Sequence, residues 1–201
     1  IGFGSGSLKG RWKTKEIVMV RFILLLALIP QGVLLGLPLE TAKSTVEFVA
    51  VGNPSQLKIH GKADPDSGGA LLKGNFEVLP SKQVVFQAEF ELKALKTGIS
   101  LRDRHMHDKY LETSKYPKAS LSSEIKLVGD SPYSFKGMMK LHGVEKEVEG
   151  LMTINDLERG DFGFEFNVDL SEFGIEIPSF MGVTVAETVV VSVDISLPRA
   201  L

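Results

Sequence analysis

Val84-Val85-Phe86-Gln87-Ala88-Glu89-Phe90-Glu91-Leu92-Lys93-Ala94 alternates apolar and polar side chains with a period of two. In an extended chain successive side chains point to opposite faces. Val84, Phe86, Ala88, Phe90, Leu92 and Ala94 therefore share one wholly apolar face, while Gln87, Glu89, Glu91 and Lys93 fall on the other. This is the pattern of a strand that is buried on one side and wet on the other.

The phase recurs on both sides of this stretch. Downstream it runs through Ala119-Leu121-Ser123-Ile125-Leu127, Tyr133-Phe135-Gly137-Met139-Leu141, Val144 to Ile154, Phe162-Phe164-Phe166-Val168-Leu170, and Val183 to Leu197. Upstream, Val46-Phe48-Ala50, Leu57-Ile59 and Leu71 to Leu79 follow it. Gly52-Asn53-Pro54, Asp64 to Gly69, Gly129 to Pro132, His142-Gly143 and Asn155 to Gly160 separate these runs with residues that suit tight turns. Consecutive strands joined by short turns predict an all-β, antiparallel meander. Burial on one face of each strand requires the sheet to close into a barrel or to pack on a second sheet. A barrel of about eight strands has an interior that side chains fill, or that holds one small ligand.

Residues 1–44 do not share this pattern. Arg21 precedes the apolar run Phe22 to Ile29, then Pro30-Gln31-Gly32 and a second run, Val33 to Leu37. A basic flank, a short apolar core and helix-breaking residues predict a secretory signal peptide over 19–44, with Ala42-Lys43-Ser44 as the processing site and no membrane anchor left afterwards. The breaks at Pro30, Gly32, Gly36 and Pro38 argue against one continuous membrane helix, which needs about 20 apolar residues. Residues 1–18, Gly/Ser-rich and then basic, are expected to be disordered upstream sequence. Residues 45–201 remain as one domain of periplasmic or secreted location.

Composition removes several function classes. The 23 basic and 25 acidic residues nearly cancel, which leaves no basic face for nucleic acid. With no cysteine, there is no disulfide framework, thiolate metal site or cysteine nucleophile. A homodimer is left open.

One charged interruption breaks the strands: TGISLRDRHMHDKYLETSKYPKA, residues 97–119. Ser100 to Leu111 reads as a helix, with Ser100 as N-cap and Asp103 reaching back to its N–H. Tyr116-Pro117 then restores an extended chain. His105 and His107 stand two apart, ~200° around a helix, and cannot hold one metal together. His60 and His142 have no acidic partner at ligand spacing. There is no G-x-S-x-G elbow and no visible triad. No cofactor and no catalytic residue are assigned. Arg104, His107 and Lys109 read as a solvated face, whereas Arg102, Asp103 and His105 read as a polar cluster fixing the helix over the barrel mouth. Glu187 falls in the inward phase of the last strand, where the strand emerges into water.

These residues carry a family resemblance. TGISLRDRHMHDKYLETSKYPKASL closely resembles the YceI-like family of lipocalin-like, polyisoprenoid-binding periplasmic proteins. Val51-Gly52 with Leu57 to Gly61, Met139 to Lys146, and Phe173-Gly174-Ile175 with Gly182-Val183 and Glu187 to Val189 resemble its other motifs in order. The resemblance implies an exported barrel of about eight strands, covered by one short helix, with an apolar tunnel for an isoprenoid or quinone-like chain. Arg102, His105 and Met106 map onto the cover. Phe86, Phe90, Leu92, Phe135, Met139, Leu141, Phe162, Phe164 and Phe166 map onto the tunnel wall. The competing expectation is a filled core, with those rings interlocked and no void, in an exported protein that acts through protein contacts in envelope stress or maintenance.

Overall fold

Burial follows the period of two strand by strand. In the computed structural model, which describes residues 37–53, 58–63, 71–156, 159–180 and 183–198, the stretch from Gln83 to Glu91 is strand β5. Val84, Phe86, Ala88 and Phe90 are buried on it, and Gln87 is exposed. The remaining strands are β1 (Leu37–Pro38), β2 (Lys43–Asn53), β3 (Lys58–Ala63), β4 (Leu72–Leu79), β6 (Leu95–Lys96), β7 (Lys118–Lys126), β8 (Tyr133–Leu141), β9 (Val144–Asp156), β10 (Asp161–Asp169), β11 (Ser179–Phe180) and β12 (Val183–Ser196). All pairings are antiparallel, in the order β1-β4-β5-β7-β8-β9-β10-β12-β2-β3-β6, with β11 attached to β12. The sheet curls into a half-barrel. Phe76 of β4 and Phe162 of β10 lie five strands apart in that order, yet their ring centroids are 4.5 Å apart.

The all-β, antiparallel, helix-covered architecture is the expected one; the strand count is not. Among the described residues eleven strands lie on the hydrogen-bonded path, against an expectation of about eight. Two of the additional strands are β1 and β6, two residues each, which are too short to show any alternation. Both cover edges that would otherwise offer unpaired backbone groups, β1 along β4 and β6 along β3.

The N-terminal boundary also moves. The expected signal peptide lies outside the described residues up to position 36, but its last part, 37–44, belongs to the folded domain. Leu37 pairs with Phe76, Leu39 is fully buried, and Ser44 pairs with Ile195 inside β2. Alternation could not reveal this, because Leu39 enters the core from a single helical turn, Leu39–Thr41, rather than from a strand.

Two turns explain local choices. His142 and Gly143 join β8 to β9 with φ of 51° and 79°. That left-handed pair matches the twist of a two-residue hairpin and suits glycine at the second position. On β9, a side chain at Gly150 would stand 2.7 Å from Phe166 Cβ and 2.8 Å from Phe135 Cε1, so the two rings lie across a bare backbone. Outside, Lys118 reaches Glu89 at 2.6 Å and Lys136 bridges Glu147 at 3.1 Å. Such exposed pairs are screened by solvent and contribute little to stability.

Replacing Leu39 by alanine removes a fully buried side chain from the segment 37–44. A loss of about 2–5 kcal/mol is expected by chemical denaturation. A change under about 1 kcal/mol would show that residues 37–42 do not belong to the fold.

Candidate functional site

The inward-facing side chains of this half-barrel divide along its axis. At one end, six phenylalanines form a continuous cluster. Phe164 stacks on Phe86 at 4.8 Å and meets Phe76 and Phe135 edge-on at 6.5 and 5.9 Å. Phe76 packs on Phe162, and Phe135 on Phe166 at 6.2 Å. All six are at most 5% exposed. Offset and edge-to-face rings at these separations are the favoured arrangements, adding about 0.5–1.5 kcal/mol per pair to the burial itself.

The other end holds a cavity of about 500 Å³. Its wall is almost entirely apolar: Phe90 and Leu92, Ala119, Met139 and Leu141, Val168 and Leu170, Val185, Val189 and Val191, with Val46, Phe48 and Ala50 from β2. Most of the polar groups gather at its cover, where Thr97, Arg102, His105, Tyr110 and Ser179 contribute to the lining, and Glu47 of β2 adds one more.

The cover is α1 (Ser100–His105), followed directly by a π turn, Met106–Tyr110. The sequence predicts one regular helix to Leu111; instead the backbone widens after His105, with Leu111 N–H donating to Met106 O at 2.8 Å and Thr113 N–H to His107 O at 2.8 Å. The widened turn keeps Met106 and Tyr110 on the cavity side together with Leu101, Arg102 and His105. Single π turns of this kind recur at functional sites.

The start of the helix also differs from expectation. Ile99, not Ser100, is the cap residue, and it makes no side-chain cap bond. Asp103 turns to Thr97 instead, accepting its backbone N–H at 2.7 Å and its hydroxyl. Arg102 closes the knot by donating from Nε to Thr97 Oγ1 at 2.8 Å and from a terminal nitrogen to Thr97 O at 2.7 Å. Asp103 and Arg102 thus both fasten to one threonine, while Arg102 also lines the cavity. Thr97 was missed as a partner, although the Thr-Gly step before the helix was the signal available.

Two further fastenings hold the cover. Tyr110 Oη lies 3.4 Å from Ser179 O and accepts Ser179 N–H at 3.3 Å, and Lys109 reaches Glu176 at 3.2 Å. The hydrogen bond to Glu176 holds the Lys109 ammonium above its ordinary range. Beyond the π turn, His142 Nε2 stands 2.8 Å from Glu112 Oε2 and its Nδ1 3.2 Å from Phe173 O, with Tyr116 edge-on to the ring at 4.5 Å. His142 therefore has an acidic partner after all, supplied from 30 residues away. His107 departs from the solvated face assigned to it: its Nε2 donates to Leu95 O at 3.0 Å, and its Nδ1 is buried. The π turn moves it there, off the face a regular helix would give.

The twelve residues expected to bind ligand thus fall into two groups. Phe90, Leu92, Met106, Met139, Leu141, Arg102 and His105 surround the cavity. Phe86, Phe135, Phe162, Phe164 and Phe166 do not; they belong to the aromatic cluster behind it. The alternation assigns a side chain to the inner face without saying which end of the barrel it occupies. Glu187 is exposed, because β12 bulges between Val185 and Val189 and the strand leaves its phase there.

This arrangement, an antiparallel half-barrel with an apolar interior under one helix, agrees with the family comparison. The model of the YceI-like domain matches residues 38–197. The chain belongs to the YceI-like family. Among curated relatives, a UPF0312 protein of Pseudomonas putida strain F1 is 30% identical over 116 residues, and one of Pseudomonas syringae pv. syringae strain B728a is 31% identical over 116 residues. Each match covers 52% of this chain and 60% of the relative's length. Two solved structures share the fold. The polyisoprenoid-binding domain from Saccharophagus degradans implicated in plant cell wall breakdown has a TM-score of 0.55 at 14% identity, over 82% of this chain and 99% of that one. Burkholderia cenocepacia BcnA has a TM-score of 0.59 at 16% identity, over 76% of this chain and 94% of that one. The matched family segment begins at position 38, within the N-terminal stretch that packs on β4.

Asp103→Ala removes both bonds that Asp103 accepts from Thr97. A local loss of about 1–3 kcal/mol is expected, read as roughly ten- to hundredfold faster amide exchange over residues 100–110. Amides of β10 around Phe164 are expected to keep their protection. Uniform loss across the domain would contradict a local fastening.

Proposed function

We propose that this protein binds a hydrophobic lipid of the isoprenoid class, with the apolar chain in the cavity and the polar end at the helical cover. The observation that carries this reading is the cavity itself: about 500 Å³ walled mainly by aliphatic and aromatic side chains, with most of its hydrogen-bonding groups at the helical cover. Apolar pockets of about 300–1,000 Å³ with a few convergent polar groups are the usual form of small-molecule sites. The structural neighbour from Saccharophagus degradans is described as a polyisoprenoid-binding domain, which supports the same ligand class here.

The energetics need no dedicated recognition motif. Each buried methylene contributes about 0.8 kcal/mol. Ten of them reach about 8 kcal/mol, the scale of a micromolar Kd before ordering costs are met. Arg102, His105 and Tyr110 line the rim and offer hydrogen-bonding groups to an anionic or hydroxyl head group. The reading is one of binding and transport without covalent chemistry. The apolar run of Phe22 to Ile29 behind Arg21 supports export to the periplasm. Removal of a leader there must leave residues 37–44 on the domain, because Leu39 is part of its core.

Ala50→Phe combined with Ala119→Phe fills the cavity from two opposed walls. Displacement of an apolar fluorescent dye by geranylgeraniol is expected to weaken at least tenfold, with unchanged far-UV circular dichroism. Native mass spectrometry of protein purified from an exporting host is expected to retain an adduct of lipid mass on the wild type and none on the double variant. Equal dye and lipid binding by both proteins would overturn the assignment of this cavity.

A further inference from the structure

The axial division of the interior carries a consequence for ligand length. We infer that the aromatic cluster is a floor that limits the bound chain to about four isoprene units, and that Phe166 is the residue that sets the limit; the inference rests on the carrier reading above.

The floor follows from the next inward position along each strand. Phe90, Ala119, Met139, Val168 and Val191 line the cavity. One step further from the cover along each of their strands come Ala88, Leu121, Gly137, Phe166 and Val193, none of which lines it. Among these five Phe166 is the one aromatic side chain. It is 5% exposed and leans on Phe135, whose ring in turn meets Phe164. Behind it Phe164 stacks on Phe86, so the rings pack on one another from the floor to the far end. Gly150 fixes this geometry, since Phe166 and Phe135 occupy the space that a side chain there would need.

The size of the space above the floor sets the length. A cavity of ~150 Å³ accommodates a six-carbon ring, or about 25 Å³ per carbon. At that density the 500 Å³ here holds roughly 20 carbons, about four isoprene units. A longer chain has nowhere to go except back through the mouth into water. There its additional methylenes gain nothing from burial.

The test is a chain-length profile. Prenyl alcohols of about 10 to about 45 carbons, delivered on cyclodextrin, compete with an apolar dye for wild type, Phe166→Ala and Phe166→Leu. For the wild type, affinity is expected to rise at least tenfold for each added isoprene unit up to about 20 carbons, then to stay within about threefold. Phe166→Ala is expected to move the break to about 25 carbons, because removing a ring opens space for roughly one more unit. Phe166→Leu, which keeps the core largely filled, is expected to leave the break in place while loosening it for branched chains. Should the alanine variant fail to fold, the wild-type break alone decides. Affinity that keeps climbing well past 25 carbons in the wild type, or a break that a folded Phe166→Ala leaves unmoved, overturns the length limit while leaving the carrier reading intact. If no prenyl alcohol of any length displaces the dye, both readings fall.

Discussion

The packing of six phenylalanine rings at one end of the half-barrel is the constraint on which the remaining structure depends. Burial contributes about 2 kcal/mol per ring, and the ring pairs add about 1 kcal/mol each. A void of about 500 Å³ forgoes packing worth on the order of 12 kcal/mol, at about 24 cal/mol per Å³. The two magnitudes are of the same order. A fold can leave one half of its interior unfilled because the other half is packed to this density. The same division makes an apolar ligand stabilising, since a lipid chain replaces the missing contacts.

Above that floor the cover is a separate polar system. Thr97, Arg102 and Asp103 fix one end of the helix, Tyr110 and Lys109 tie the π turn to Ser179 and Glu176, and Glu112 reaches His142 on the β8–β9 hairpin. None of these bonds passes through the aromatic cluster. The cover can therefore loosen at a cost of a few local hydrogen bonds, without disturbing the packed end. For a protein that must admit and release a long apolar chain, low local stability at the mouth and high stability at the floor are both required. Ile99 and Leu101, 53% and 44% exposed beside the opening, add an apolar rim to a cover otherwise held by polar contacts.

Much of this was legible in the sequence. Period-two alternation located the long strands and separated their inner from their outer faces, and the charged break at 97–119 marked the cover. Three features were beyond its reach, each for a physical reason. Two-residue strands such as β1 and β6 leave no pattern to detect. The π turn is a departure of backbone hydrogen bonding, which brings His107 to the Leu95 carbonyl only in three dimensions.

 Leu95 O receives that ring's Nε2–H across 12 residues, a distance no local motif encodes. Alternation, finally, tells inside from outside but carries no axial coordinate. Phe90 and Phe86 stand on the same face of β5, yet one lines the cavity and the other packs in the cluster. Only the register of β5 against β7, and of β10 against β12, sorts them.

The central claim is that one interior holds two regions, an open apolar end under the helix and a sealed aromatic end. Nuclear Overhauser contacts between geranylgeraniol and methyl-labelled protein measure this directly. Contacts are expected to the methyl groups of Met139, Leu141, Val189 and Val191, and none to Ile125, Met152 or Ile195. Contacts from the chain to Met152 or Ile195 would contradict a sealed floor, and the absence of any contact to the first set would contradict the cavity as the binding site.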